Sequence, residues 1–147
     1  MKDLNLIYSR HNFDNSVQKI SQKKIGYYDL TILLRGTLEY TVNGKKLIMK
    51  TGDAIFLPPD ALRGRKEMSE KSDYISFNFT TQEDFSLPQY MENIISNDIL
   101  LLITLYDEIE RKAYFKTNSK EKKEHLLITL LLILEDKVKR TEYNPLT

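Results

Sequence analysis

Hydrophobic positions recur every second residue in the first half of this chain and every third or fourth in the second half. The alternation is cleanest in 73–79, where Ile75, Phe77 and Phe79 are apolar and Tyr74, Ser76 and Asn78 are polar. That is the pattern of a strand showing one face to a core and the other to a different environment. Residues 28–35, 38–42 and 46–50 carry further apolar and polar runs, and the turns between them are explicit. Gly36-Thr37 separates the first two and Asn43-Gly44 the next two. Asn-Gly favours a tight hairpin because a type I′ turn needs positive φ at both central positions. Thr51-Gly52-Asp53 makes another turn and 54–57 another strand, which Pro58-Pro59-Asp60 ends because proline cannot donate to a ladder. A short strand is also predicted over 63–67.

The period changes after residue 88. Leu87-Pro88 reads as the first turn of a helix, a position proline suits, and the helix is predicted to continue to about Tyr114 with a break near 96–98. A last helix is predicted from residue 119 or 120 to 139. In its middle, 126–134, Thr129 is the only polar residue, an apolar arc wider than one buried stripe. Leu127, Leu131 and Leu134 are therefore assigned to a homodimer interface, the alternative being a helix wholly buried between the sheet and the preceding helix. Strands first and helices second define an α+β chain, mainly β, with a small barrel followed by two or three C-terminal helices.

Composition narrows the function classes. The 147 residues, 41% hydrophobic, suit one domain that buries roughly two thirds of its unfolded surface. With 22 basic and 21 acidic residues the net charge is +1, too small to make nucleic acid the default partner. The absence of cysteine excludes disulfides, thiolate metal sites and cysteine nucleophiles, and a cytoplasmic setting is expected. The longest apolar run, 130–134, is too short to span a bilayer, so no membrane partner is expected.

Alternation also indicates which side chains share the inside of the barrel. If Asp29 faces inward, Thr31, Leu33 and Arg35 follow, with Arg63 and Arg65 on a later strand and Tyr74, Ser76 and Asn78 on another. Asp29, Thr31, Arg63, Arg65, Tyr74 and Ser76 are the candidate ligand-binding residues. This set suits a small polar or anionic ligand such as a sugar, sugar phosphate or carboxylate. The other possibility is an internal Asp29–Arg63 ion pair with the remaining groups satisfied by water. A register slip of one residue would turn every one of these side chains to the opposite face. The two histidines, His11 and His125, lie off these strands, and no spacing suggests a nucleophile with its base.

The run 28–36, then Asn43-Gly44, Thr51-Gly52-Asp53 and Pro58-Pro59, followed by an aromatic strand and two helices, resembles the N-terminal cupin domain of AraC-type transcription regulators over about residues 20–140. The resemblance implies a cupin or jelly-roll barrel that binds a small-molecule effector and forms a homodimer, with DNA bound only by a C-terminal helix-turn-helix domain absent from this sequence. It divides the chain into an N-terminal arm or edge strand (1–22), a barrel (23–82), a helical dimerisation region (87–140) and the start of a linker (141–147). In that family the arm can fold over the ligand, which makes Tyr8, Arg10 and His11 lid candidates. Metal-binding cupins hold a cation with histidines and a glutamate. Here the matching positions carry Asp29, Arg63 and the Gln and Lys residues of 22–24, so no metal or other cofactor is expected. The competing class is a metal-free sugar isomerase or epimerase using Tyr74 and Asp29 as acid and base.

Overall fold

The computed structural model describes residues 3–114 and 118–143. Its strands are β1 (Asn5–Val17), β2 (Ile20–Lys24), β3 (Tyr28–Arg35), β4 (Thr37–Val42), β5 (Lys45–Lys50), β6 (Ala54–Leu57), β7 (Leu62–Arg65), β8 (Met68–Thr80) and β9 (Tyr90–Met91). Two helices follow, α1 (Asn97–Lys112) and α2 (Ser119–Tyr143). The strands form two antiparallel sheets in the orders β1-β8-β3-β6-β9 and β2-β7-β4-β5. Without β9, these are the two four-stranded sheets of a jelly roll, in which the chain passes back and forth between sheets as two Greek keys.

Local chemistry explains the turns. Asn43 and Gly44 both have positive φ, 50° and 81°, and close the β4–β5 hairpin as the sequence predicts. Gly36, with φ of 108°, lets the β3–β4 connection pass against Ser72 of β8. A Cβ at Gly36 would lie only 2.5 Å from the Ser72 hydroxyl.

The core has two layers because β3 and β8 are buried on both faces. Leu30, Ile32, Ile75, Phe77 and Phe79 point outward beneath the helices and meet Ile99, Ile103 and Tyr106 of α1 and Leu127, Leu130, Leu131 and Leu134 of α2. Tyr28 stacks between Phe56 and Phe79, with ring centroids 5.3 and 5.4 Å away. Leu33, Leu38, Tyr40, Met49, Ile55, Leu57 and Tyr74 fill the space between the sheets. Each buried large apolar side chain contributes about 1.5–3 kcal/mol.

Several expectations are corrected. Leu127, Leu131 and Leu134, assigned above to a dimer interface, are fully buried against the sheet of their own chain. With Leu126 and Leu130 they fall at i, i+1, i+4, i+5 and i+8, one ordinary helical stripe. On the helices the exposed apolar positions are Leu100, Leu101 and Leu105 of α1 and Leu132 of α2, and on β1 they are Ile7, Tyr8 and Phe13. The helix predicted from Leu87-Pro88 begins only at Asn97. Residues 87–96 are not helical: β9 pairs with the edge of β6, Ala54 opposite Met91 and Ile55 opposite Tyr90. The buried Asp53 carboxylate holds this segment, accepting from the Asn93 amide at 3.0 Å and from the Tyr90 hydroxyl. Of the arm or edge strand expected for 1–22, residues 5–17 form the strand: β1 lies at the edge of its sheet, paired along β8. Arg35, expected inside, is exposed after an irregularity in the β3–β8 register and pairs with Asp14 at 2.9 Å. Residues 144–147, in the expected linker, lie outside the described residues. Among the described residues no helix is long and apolar enough to cross a membrane.

Tyr106 generates a pH prediction. Burial pushes its phenol up to about 12 from an ordinary 10, and the hydroxyl donates to Ser9 of β1 at 2.8 Å. A raised acid favours folding while protonated, so this stabilisation is complete below pH 10 and is lost as pH rises through about 12. Urea unfolding midpoints should fall across that window, and Tyr106→Phe should flatten the fall.

Candidate ligand site in the barrel

One end of the space between the sheets is filled with apolar side chains and the other is polar. The polar end follows from strand register. Tyr40 of β4 lies opposite Arg65 of β7, and Val42 opposite Arg63, so both arginines share a face with Gly64 turned away between them. Asp29 of β3 lies opposite Asn78 of β8, and Thr31 opposite Ser76. On the far side of β8, Tyr8 and Arg10 of β1 sit opposite Asn78 and Ser76. Five strands thus direct polar groups to one place.

These groups line a cavity of about 240 Å3, roughly eight water volumes. Asp29, Arg63, Arg65, Tyr74, Ser76 and Asn78 form its inner wall with Tyr40, while Tyr8, Arg10, Lys19, Lys23 and Tyr27 are also in the lining. A wider groove of about 640 Å3 lies outside the barrel between 88–94 and α2. It lacks a comparable convergence of buried charged groups.

The central contact is a buried ion pair. Arg63 Nη1 donates to Asp29 Oδ2 at 2.6 Å, and both side chains are almost wholly enclosed. Thr31 Oγ1 donates to the other Asp29 oxygen at 3.0 Å and lies 2.8 Å from Ser76 Oγ. Arg63 Nη2 donates to the Tyr27 hydroxyl at 3.1 Å, whereas its buried Nε has no partner. Burial works against the Arg63 charge, but the charge and hydrogen bond of Asp29 hold the guanidinium above its ordinary range. Burial, reinforced by the charge on Asp29, also raises the Tyr40 phenol. The ion pair that alternation left open is therefore formed, and a cavity remains beside it.

Arg65 is held differently. Its Nε and Nη2 donate to the Gln18 carbonyl at 3.1 and 2.9 Å, and Nη1 is 3.5 Å from the Tyr40 hydroxyl. The guanidinium lies over the rings of Tyr74 and Tyr40, 5.1 and 5.9 Å from their centroids.

Five of the six candidates, Asp29, Arg63, Arg65, Tyr74 and Ser76, line the cavity, and Thr31 lies behind Asp29 and Ser76 as a positioning group. Of the lid candidates, Tyr8 and Arg10 line it, but His11 does not. His11 sits opposite Ile75 and so shares the helix-facing side of β8. Its ring nitrogens lie 2.6 Å from Asp73 Oδ1 and 2.7 Å from Asp107 Oδ1, tying β1 and β8 to α1. Tyr40 and Tyr27 were not among the candidates. Tyr40 was legible, since it alternates with buried Leu38 and Val42, whereas Tyr27 precedes β3 and no periodicity marks it. Among the described residues no three His, Asp or Glu side chains converge as a metal site would require.

No family model matches the sequence, and no curated protein does. Solved structures resemble about half of this chain. EutQ from Clostridium difficile is 17% identical over 45% of this chain and 51% of its own, with a TM-score of 0.36. An RmlC-like cupin from Shewanella frigidimarina NCIMB 400 is 18% identical over 55% and 69%, with a TM-score of 0.42. KdgF from Halomonas sp. is 16% identical over 55% and 79%, with a TM-score of 0.41. This chain thus spans about half the length of the EutQ chain. The fold class stands on the strand order: a cupin-like jelly roll, mainly β, with two C-terminal helices.

Removing one partner of a buried pair leaves the other charge uncompensated. Arg63→Met should cost about 3–5 kcal/mol in urea unfolding, and adding Asp29→Leu should recover most of that loss. An equal loss in both variants would show that the pair is not the local determinant.

Proposed function

We propose that this chain is the sensory and dimerising part of a transcription regulator of the AraC type, and that its barrel binds a small polar effector. The observation that carries the reading is the cavity. A jelly roll of this size is able to fill its interior, and this one does so at one end with Leu33, Leu38, Met49, Ile55 and Leu57, yet at the other end leaves about 240 Å3 among charged and aromatic groups. Tyr8 and Arg10 bring β1 to the same cavity, so a ligand there touches the N-terminal strand as well as the barrel wall. To switch anything, the ligand must favour one arrangement of that strand or of the helices over another. DNA would be contacted by a separate helix-turn-helix domain.

The metal-free isomerase or epimerase reading needs Asp29 or Tyr74 to exchange a proton with substrate. Asp29 already accepts from Arg63 and Thr31, and the Tyr74 ring is covered by Arg65. Both facts support binding over catalysis.

Thermal-shift and calorimetric titration with neutral sugars, sugar acids and sugar phosphates should identify a ligand that binds one per chain. A titration in which no class binds would remove the sensing role. The dimer is tested separately: with the α2 stripe buried, the helical face it would use is that of the exposed Leu100, Leu101 and Leu105 on α1. Sedimentation at micromolar concentration should show a dimer that Leu101→Glu with Leu105→Glu converts to monomer. A monomeric parent chain would end that part of the reading.

A further inference from the structure

The barrel cavity has an unbalanced charge. Five cationic side chains line it, Arg10, Lys19, Lys23, Arg63 and Arg65, against a single carboxylate, Asp29. That carboxylate is committed, since Arg63 occupies one oxygen and Thr31 the other. Arg65 is the critical case. Its residue is 9% exposed, yet among the described residues its hydrogen-bond acceptors are a neutral carbonyl and a phenol, and no carboxylate pairs with it. A guanidinium withdrawn from water without a counter-charge is costly, and stacking on Tyr40 and Tyr74 recovers only part of that cost. The arrangement orients the planar fork while leaving its charge unneutralised.

We infer that the ligand of this barrel is a small oxyanion, a compact carboxylate or phosphate ester seated against Arg65, and that a neutral sugar does not satisfy the site. This inference rests on the ligand-binding reading above and narrows it. An anion beside Arg65 supplies the missing counter-charge, and a charge-assisted pair with a guanidinium is among the strongest polar contacts available in a low-dielectric site. Ser76 and Asn78 in the same wall add neutral hydrogen-bonding groups for the rest of the molecule. Arg10, Lys19 and Lys23 lie on exposed stretches of β1, β2 and the link between them, where they raise the local concentration of anions. A cavity of about 240 Å3 limits the ligand to a compact acid no larger than a monosaccharide phosphate.

The experiment uses small polar probes that differ in charge: glucose, gluconate, malate and glucose 6-phosphate, titrated into the parent chain, Arg65→Met and Arg65→Lys. Gluconate or malate binding points to a carboxylate and glucose 6-phosphate binding to a phosphate, and either without comparable glucose binding is the expected result. Arg65→Met should weaken the anion about 10- to 150-fold, the range for losing a charged hydrogen-bonding partner, and Arg65→Lys less. The ligand-free Arg65→Met chain should melt at or above the parent's temperature, because it loses a buried unpaired charge and the exposed Gln18 carbonyl finds water. Glucose binding as tightly as the anions, unaffected by Arg65→Met, would overturn the oxyanion and leave the sensing barrel intact. Failure of every probe, with Arg65→Met melting well below the parent, would make Arg65 a structural brace and overturn both.

Discussion

Strand β8 is the element on which the rest depends. It pairs with β1 on one side and β3 on the other, and its side chains alternate between two interiors of opposite character. Ile75, Phe77 and Phe79 give the helices an apolar floor, while Tyr74, Ser76 and Asn78 form part of the cavity wall. The pleat makes these two roles inseparable. A shift of one residue would bury the polar set under Leu127 and Leu131 and push the phenylalanines among the arginines, so the packing of the helices fixes the register of the site.

Given that register, electrostatics decides what kind of interior the barrel has. Arg63 and Asp29 neutralise one another at 2.6 Å, and the aromatic rings beneath Arg65 hold a second guanidinium flat beside them. A charge pair enclosed this completely is held by geometry as much as by attraction, since either partner alone would be expelled toward water. Charge is therefore balanced at Arg63 and unbalanced at Arg65 within one cavity. His11 performs a comparable service on the other face, bridging Asp73 and Asp107 so that β1 is anchored to α1 while Tyr8 and Arg10 remain at the cavity. One strand links the barrel contents to the helical layer.

The fold and much of the site were legible in the residues. Asn43-Gly44, Gly36 and the period-2 run 73–79 carry local information, because positive φ and side-chain alternation are properties of a few neighbouring residues. Asp29, Arg63, Arg65, Tyr74 and Ser76 were brought together by counting along strands, and the structure converges them on one cavity. The misreadings have different causes. Pro88 suits a helix start, but the open edge of β6 and the Asp53 carboxylate, both distant in sequence, draw 87–96 into an extended path ending in β9. His11 was placed at the cavity with Tyr8 and Arg10, although alternation already set it on the opposite face.

What the sequence determined by itself was the succession of β3 to β8 ahead of two helices, the turns between those strands, and the face of most of their polar residues, because these depend on backbone preference and on periods of two and 3.6. What only the tertiary structure decided was the partner of each face. The leucines of α2 could have met a second subunit or their own sheet, and the sheet supplies enough apolar area within the chain to claim them. Arg63 and Arg65 are two residues apart and chemically alike, yet one is neutralised and the other is not. That difference comes from where β3 places a single carboxylate, a long-range fact that no spacing records.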